Sequence, residues 1–227
     1  MSPSLDSIEQ AFGPLKDPEQ AAHMQAYMLN QFAFLGIRAG PRRQALRSVW
    51  RTWSKEQMTP RSCLALAKLL WKKPEREFQY AAIDILDRQH QQLNLAHLPQ
   101  LLALVQLKPW WDSVDALAGV IGDVVLQCLP DHPDAQIHMD ECIQHPNMWV
   151  RRVAMLHQLG WKTQTDEVRL FDYALSLANE KEFFIRKAIG WALRDHARTR
   201  PQAVRAFLKK YQNVLSGLTV REAGQHL

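Results

Sequence analysis

The sequence predicts an all-α protein: an α-solenoid of helical repeats whose inner helices line a concave surface. Three observations carry this expectation. Apolar residues recur at helical spacing through nearly every long segment, and no alternating strand bounded by turn residues is found. Proline punctuates the chain at Gly40-Pro41, Thr59-Pro60, Lys73-Pro74, Lys108-Pro109, Leu129-Pro130, His145-Pro146 and Arg200-Pro201. It disfavours helix in the residue before it and suits the first turn of the next helix. Finally, four segments open on an aromatic residue at positions 78, 111, 149 and 184, which are 33, 38 and 35 residues apart.

That period, two helices and a turn, marks a HEAT-like array. Tetratricopeptide repeats have a similar period, but their Trp-Leu-Gly-Tyr pattern is absent. Arg38, Arg42, Arg43, Arg47 and Arg51 run along one helix and its approach. Neighbours Arg42 and Arg43 face apart, whereas Arg43, Arg47 and Arg51 form a stripe at i, i+4 and i+8. Leu64-Ala-Leu-Ala-Lys-Leu-Leu-Trp71 reads as an amphipathic helix. Pro74-Glu-Arg-Glu-Phe-Gln79 mixes signs and reads as a helix start with acids near the positive end of the dipole, a structural role.

The first aromatic-led segment follows, Phe78-Gln-Tyr-Ala-Ala-Ile-Asp-Ile85. The second, Trp111-Asp-Ser-Val-Asp-Ala-Leu-Ala118, begins behind Pro109, which is expected near the first helical position, where its missing N–H costs nothing. Trp149-Val-Arg-Arg-Val-Ala-Met-Leu156 and Phe184-Ile-Arg-Lys-Ala-Ile-Gly-Trp191 complete the series, and Val204-Arg-Ala-Phe-Leu-Lys-Lys-Tyr211 is a further amphipathic helix. As inner helices of a stack, the aromatic-led segments let Trp111, Asp115, Arg152 and Trp191 converge from three neighbouring repeats.

Composition narrows the class. With 227 residues, 47% hydrophobic and 22% charged, the chain can build a sizeable core and is read as a single domain over 1–227. The net charge of +5 is a mild bias towards polyanions, which only arrangement can decide. Cys63, Cys128 and Cys142 form no CxxC pair and suit a reducing compartment as small buried hydrophobes. The nine histidines include no HExxH, so no metal site is expected. The N-terminus lacks a basic n-region and an apolar h-region, and no apolar run approaches a membrane span. A soluble, cytoplasmic protein without membrane contact is expected, with nothing arguing against a monomer.

The segment Lys108-Pro-Trp-Trp-Asp-Ser-Val-Asp115 carries the strongest chemical signal. Trp111 and Asp115 are i and i+4, one above the other on a helix face. A carboxylate beside a large π face suits a cationic ligand. The plain alternative is core packing by Trp110 and Trp111, with Asp112 serving the helix start. Two arginine-rich groups stand out, the stripe above and Arg151, Arg152, Arg186, Lys187, Arg194, Arg198 and Arg200. Arginine's planar fork suits bidentate phosphate contacts, and Arg151-Arg152 is the stronger candidate pair. Against this, most exposed arginines are solvated or pair with a nearby acid.

Five segments together resemble the AlkD-type family of DNA alkylation repair glycosylases, built from HEAT-like repeats. They are Asn30-Gln-Phe-Ala-Phe-Leu-Gly-Ile37 with Arg42-Arg43, Leu70-Trp-Lys-Lys-Pro-Glu-Arg-Glu-Phe-Gln79, Trp110-Trp-Asp-Ser-Val-Asp115, Asn147-Met-Trp-Val-Arg-Arg152, and Lys181-Glu-Phe-Phe-Ile-Arg-Lys-Ala-Ile-Gly-Trp-Ala-Leu-Arg194. The resemblance implies removal of positively charged alkylated bases, such as 3-methyladenine and 7-methylguanine, from duplex DNA. It puts the essential acid at Asp115, the aromatic pair at Trp111 and Trp191, and the basic residue near the backbone at Arg152. Tyr27 would line the other end of the groove, although a buried tyrosine is an equal reading. Arg43, Arg47, Arg151, Lys187 and Arg194 are the expected DNA contacts. The family usually continues with helical sequence past Arg221-Glu-Ala, and the shorter end here implies a different C-terminal footprint.

The chemistry implied is hydrolysis. A base alkylated at N3 or N7 is already a cationic leaving group, so no general acid is needed. Positive charge then develops on the sugar, as in glycoside hydrolysis. Asp115 would face that charge and orient water, Trp111 and Trp191 would hold the deoxyribose, and Arg152 would grip a phosphate. No cofactor is implied, and no lysine is placed for a lyase step. A non-catalytic binder of DNA structures and a protein–protein adaptor are the alternatives for such a scaffold.

Overall fold

A computed structural model describes residues 3–227. Among them are thirteen α-helices joined by short 3-10 turns, and the only strand-like pairing is an isolated bridge between Ala33 and Glu75. None of these helices is long and apolar enough to cross a membrane. Residues up to Gln100 and from Leu101 onwards form two compact units.

The first unit contains α1 (Leu5–Phe12), α2 (Pro18–Tyr27), α3 (Ala39–Trp50), α4 (Pro60–Lys72) and α5 (Arg76–Arg88). Proline does start helices here. Pro18 and Pro60 occupy the first turns of α2 and α4, behind the capping side chains of Asp17 and Thr59. α1 packs on α3 and α4, α3 on α5, and α4 on α5.

The start of α5 is the helix start with a structural role that the sequence suggests, and burial defines that role. Glu77 is fully buried, and its carboxylate accepts the backbone N–H groups of Leu35, Gly36 and Ile37 at 2.9, 2.9 and 3.0 Å. Arg76, equally buried, stacks its guanidinium 3.9 Å from the Phe32 ring centroid. These two side chains fasten the segment before α3, whose backbone donors would otherwise be buried without partners.

In the second unit, α6 (Leu98–Gln106) runs in from the first unit and is followed by α7 (Trp111–Cys128), α8 (Ile137–Cys142), α9 (Met148–Leu156), α10 (Glu167–Ser176), α11 (Phe183–Ala197), α12 (Pro201–Tyr211) and α13 (Gly217–Ala223). Here the repeat is explicit. α7, α9, α11 and α13 pack successively in one row, while α8, α10 and α12 lie against its members. The aromatic-led segments of this unit fall within α7, α9 and α11. Their seams are apolar and buried, through Val114, Leu117 and Ile121 of α7, Val150, Val153 and Leu156 of α9, and Ile185, Ile189 and Leu193 of α11. Full burial of each such side chain contributes about 1.5–3 kcal/mol.

One glycine sets how closely the row can approach. A Cβ at Gly122 of α7 would fall 1.9 Å from the carbonyl oxygen of His157, just past α9, so only glycine fits that crossing. Pro109 departs from its expected place. Trp110 is the N-cap of α7, with extended backbone, and Trp111 is the first helical residue, so Pro109 lies outside the helix. Cys63, Cys128 and Cys142 carry free thiols, and burial raises Cys142 to about 11, which leaves it inert.

Candidate active site

The α7–α9–α11–α13 row supports a cleft of about 360 Å³ lined by Trp111, Asp115, Arg152, Phe183, Phe184, Lys187, Trp191, Arg194 and Glu222. The four residues expected to converge from neighbouring repeats therefore share one cavity. Helical spacing places Trp111 and Asp115 on the same face of α7. Trp191 comes from α11 and remains 38% exposed, so its ring is open to a ligand.

Asp115 and Arg152 form the polar centre. Arg152 Nε and Nη2 each donate to a different Asp115 oxygen at 2.7 Å, a bidentate fork. The third nitrogen, Nη1, donates to the carbonyl oxygen of Phe184. Arg152 is buried, with its side chain 4% exposed, and its guanidinium stands 5.9 Å from the Phe184 ring centroid. Beneath it Trp110, Trp149 and Phe184 form a cluster with centroids 5.1–6.0 Å apart. Trp110 thus packs structurally, while Asp112 lies in the first turn of α7, where its charge complements the dipole.

Burial pushes the Asp115 carboxyl above its ordinary value. The hydrogen bonds and charge of Arg152 pull it back only in part, and Asp112 adds a small upward push. A carboxylate so placed is a strong, directed acceptor for any positive charge entering the cleft.

The expectation that Arg152 meets phosphate does not match this geometry, because every arm of its fork is committed inside the protein. Arg151 is engaged in part. Its Nη1 donates to the carbonyl oxygens of His145 and Pro146, both at 2.8 Å, and its Nε lies 2.8 Å from Glu180. The physical reason is common to both: each arginine lies on a packed helix whose neighbours supply carbonyls and acids, which satisfy it before solvent can. Lys187 and Arg194 stand at the cleft and share one acid, Glu222 of α13, at 3.0 and 3.6 Å. α13 comes this close because Gly190 of α11 leaves room; a Cβ there would lie 2.5 Å from that of Glu222.

Three lining residues escaped the sequence reading. Phe184 was visible as the start of a repeat, but its role under Arg152 was not, and Phe183 gave no signal. Glu222 could have been found by extending the repeat period once more beyond residue 184, which reaches α13.

The remaining sequence candidates belong to the first unit. Arg42 is buried against Asp84 and Tyr80, whereas Arg43 is 60% exposed and only 3.6 Å from Asp84. Arg47 and Arg51 are also exposed, so the stripe faces outward. Tyr27 is 72% exposed at the end of α2, which removes the buried reading.

A family model described as DNA alkylation repair enzyme matches residues 8–227. The chain belongs to the DNA alkylation repair enzyme family. Among solved structures, it is similar to a predicted DNA alkylation repair enzyme from Enterococcus faecalis, at 37% identity and a TM-score of 0.83, covering 93% of this chain and 96% of that one. Its fold is also that of AlkD2 from Streptococcus mutans, with 18% identity, a TM-score of 0.60, and 81% and 87% coverage. The smu.31 protein of Streptococcus mutans UA159 is comparable, with 17% identity, a TM-score of 0.60, and 81% and 90% coverage. No curated protein matches the sequence. As a member of this family, the chain is a DNA repair enzyme acting on alkylated DNA.

Proposed function

We propose that this family member is a monofunctional DNA glycosylase that hydrolyses the N-glycosidic bond of positively charged alkylated purines, 3-methyladenine and 7-methylguanine, in duplex DNA. It would act as a cytoplasmic monomer, with residues 1–227 serving as one functional domain. The observation that carries this reading is a carboxylate, Asp115, sharing a cleft with two indoles, Trp111 and Trp191, while a buried guanidinium fixes its plane.

The lesion supplies its own leaving group, because alkylation has already made the base cationic. As the C1′–N bond lengthens, positive charge moves to the sugar. Asp115 stabilises that charge and orients the water that adds to C1′, and the departing base takes the bonding electron pair and is neutral once free. Trp111 and Trp191 hold the sugar and offer electron-rich faces, each worth about 0.5–2 kcal/mol. Arg152 becomes a positioning residue: its fork orients the carboxylate. Contacts to phosphate fall to Lys187 and Arg194 at the cleft, and to Arg43, Arg47 and Tyr27 of the first unit. Lys187, with its side chain 39% exposed, is free to exchange Glu222 for a phosphate, whereas the buried Arg152 is not free to exchange Asp115.

The test is to incubate methylated duplex DNA with the wild type and Asp115→Asn and identify the bases released. Free 3-methyladenine and 7-methylguanine are expected from the wild type, with the variant slower by at least about 100-fold. Asparagine keeps one acceptor for Arg152, so it preserves the fold better than alanine. Equal rates would remove Asp115 from the mechanism, and DNA binding without any base release would favour a non-catalytic binder.

A further inference from the structure

The first unit contains a second, larger cleft, of which the glycosylase reading uses only Arg47, at its edge. It measures about 740 Å³ and is lined by Arg47, Trp50, Arg51, Trp53, Lys55, Met58, Arg88, Gln89 and Gln92. Four cations face it, three of them arginines, and no acid lines it. Among the described residues, none of Arg47, Arg51 and Arg88 makes an ion pair. Lys187, Arg194, Arg151 and Arg152, by contrast, are all held by carboxylates.

Helix-end electrostatics account for only part of this. Arg47 and Arg88 sit in the last turns of α3 and α5, where a cation complements the dipole. Arg51 and Lys55 lie beyond the end of α3, and four like charges around one cavity sum to a positive potential that attracts an anion. The cleft also has an aromatic wall. The Arg88 guanidinium lies 5.0 Å over the Trp50 ring centroid, so this wall carries both an indole and a guanidinium. Gln89 and Gln92 add amide groups, each both donor and acceptor.

We propose that this cleft binds a nucleoside phosphate: the arginines take the phosphate, the Trp50–Arg88 surface stacks the base, and the glutamines meet its polar edge. Bidentate arginine–phosphate contacts and base stacking on an aromatic ring are the two recurring elements of single-strand recognition. The volume lies within the range of small-molecule sites and is ample for one nucleotide. The same chemistry is offered by a free nucleotide and by one unit of an unpaired DNA strand. A base inside a duplex has both faces stacked on its neighbours and its Watson–Crick edge paired, so it cannot stack on this wall and duplex is excluded from this role.

The test uses the full chain in two arms: quenching of tryptophan fluorescence by free deoxythymidine 5′-monophosphate, and anisotropy of a fluorescein-labelled ten-residue oligo(dT). The variants are Arg51→Ala/Arg88→Ala, both exposed, and Trp50→Leu. Arg205→Ala/Lys209→Ala removes the same charge from α12 as a control. Single-strand affinity should fall about tenfold in the arginine pair, and the salt slope should flatten by about 0.7, the one phosphate contact of Arg51. Trp50→Leu should weaken oligo(dT) binding and abolish quenching by the mononucleotide if that ligand is taken. Binding in both arms assigns free nucleotide as a ligand, and binding of oligo(dT) alone assigns the strand. No binding by the wild type, or an equal loss in the α12 control, overturns the proposal. Neither arm uses alkylated DNA, so failure here leaves the Asp115 experiment untouched.

Discussion

Asp115 is subject to opposed influences, and their balance fixes how the protein should respond to acid. Burial raises its pKa first, and Arg152 offsets this only in part. The folded protein therefore holds this proton more tightly than the unfolded chain does. Ionising Asp115 costs stability above its raised pKa, and that cost is relieved as pH falls through it. Catalysis runs in the opposite sense, because the reacting form is the carboxylate. Single-turnover release of 7-methylguanine should decline as pH falls, with a midpoint above about 3.9, the ordinary aspartate value. A profile flat down to that value would show that no raised carboxyl governs the rate. At this scale the sequence was half legible. The Trp111–Asp115 pairing follows from four residues of helix and needs nothing else. The Arg152–Asp115 pairing spans 37 residues and depends on the rotation of two helices about their axes, which no local pattern encodes.

At the scale of elements, the crossing of α7 with the end of α9 sets the distance over which that pair can form. The two glycines of α7 make this measurable, because one helix contains both a blocked and an open position. A Cβ at Gly122 would strike the backbone oxygen of His157 at 1.9 Å, whereas one at Gly119 meets nothing within 4 Å. Gly122→Ala should destabilise the protein by about 3 kcal/mol or more, because backbone rather than a side-chain tip must yield. Gly119→Ala should instead stabilise it by up to about 1 kcal/mol through helix propensity. Denaturant midpoints with unchanged m-values would check both, and a like response from the two would refute the close-packed crossing. Helices were readable because apolar spacing and proline punctuation are local. Their exact starts were not, as at Pro109, nor was the burial of Glu77, whose three donors lie some 40 residues earlier.

For the whole molecule, the 28 lysines and arginines overstate what is available to DNA. Arg151 and Arg152 are consumed internally, which leaves Arg43, Arg47, Lys187 and Arg194 as the proposed phosphate contacts. Duplex binding should thus weaken with salt along a log–log slope of about −3.6, at about 0.9 per phosphate. A slope half as steep again, about −5.4, would mean that Arg151 and Arg152 are released on binding. The repeat was legible at this scale because it is a sum of local signals, each weak and all in phase. The allocation of charge was not, since it depends on which acids the fold brings alongside. The ring cluster of Trp110, Trp149 and Phe184 has a last consequence. It joins the starts of α7, α9 and α11, and one of its rings, Phe184, also faces the Arg152 guanidinium. Selection for heat resistance and selection for turnover therefore meet at Phe184. A lineage that trims Phe184 must refill the wedge from its neighbours or surrender the angle of the carboxylate.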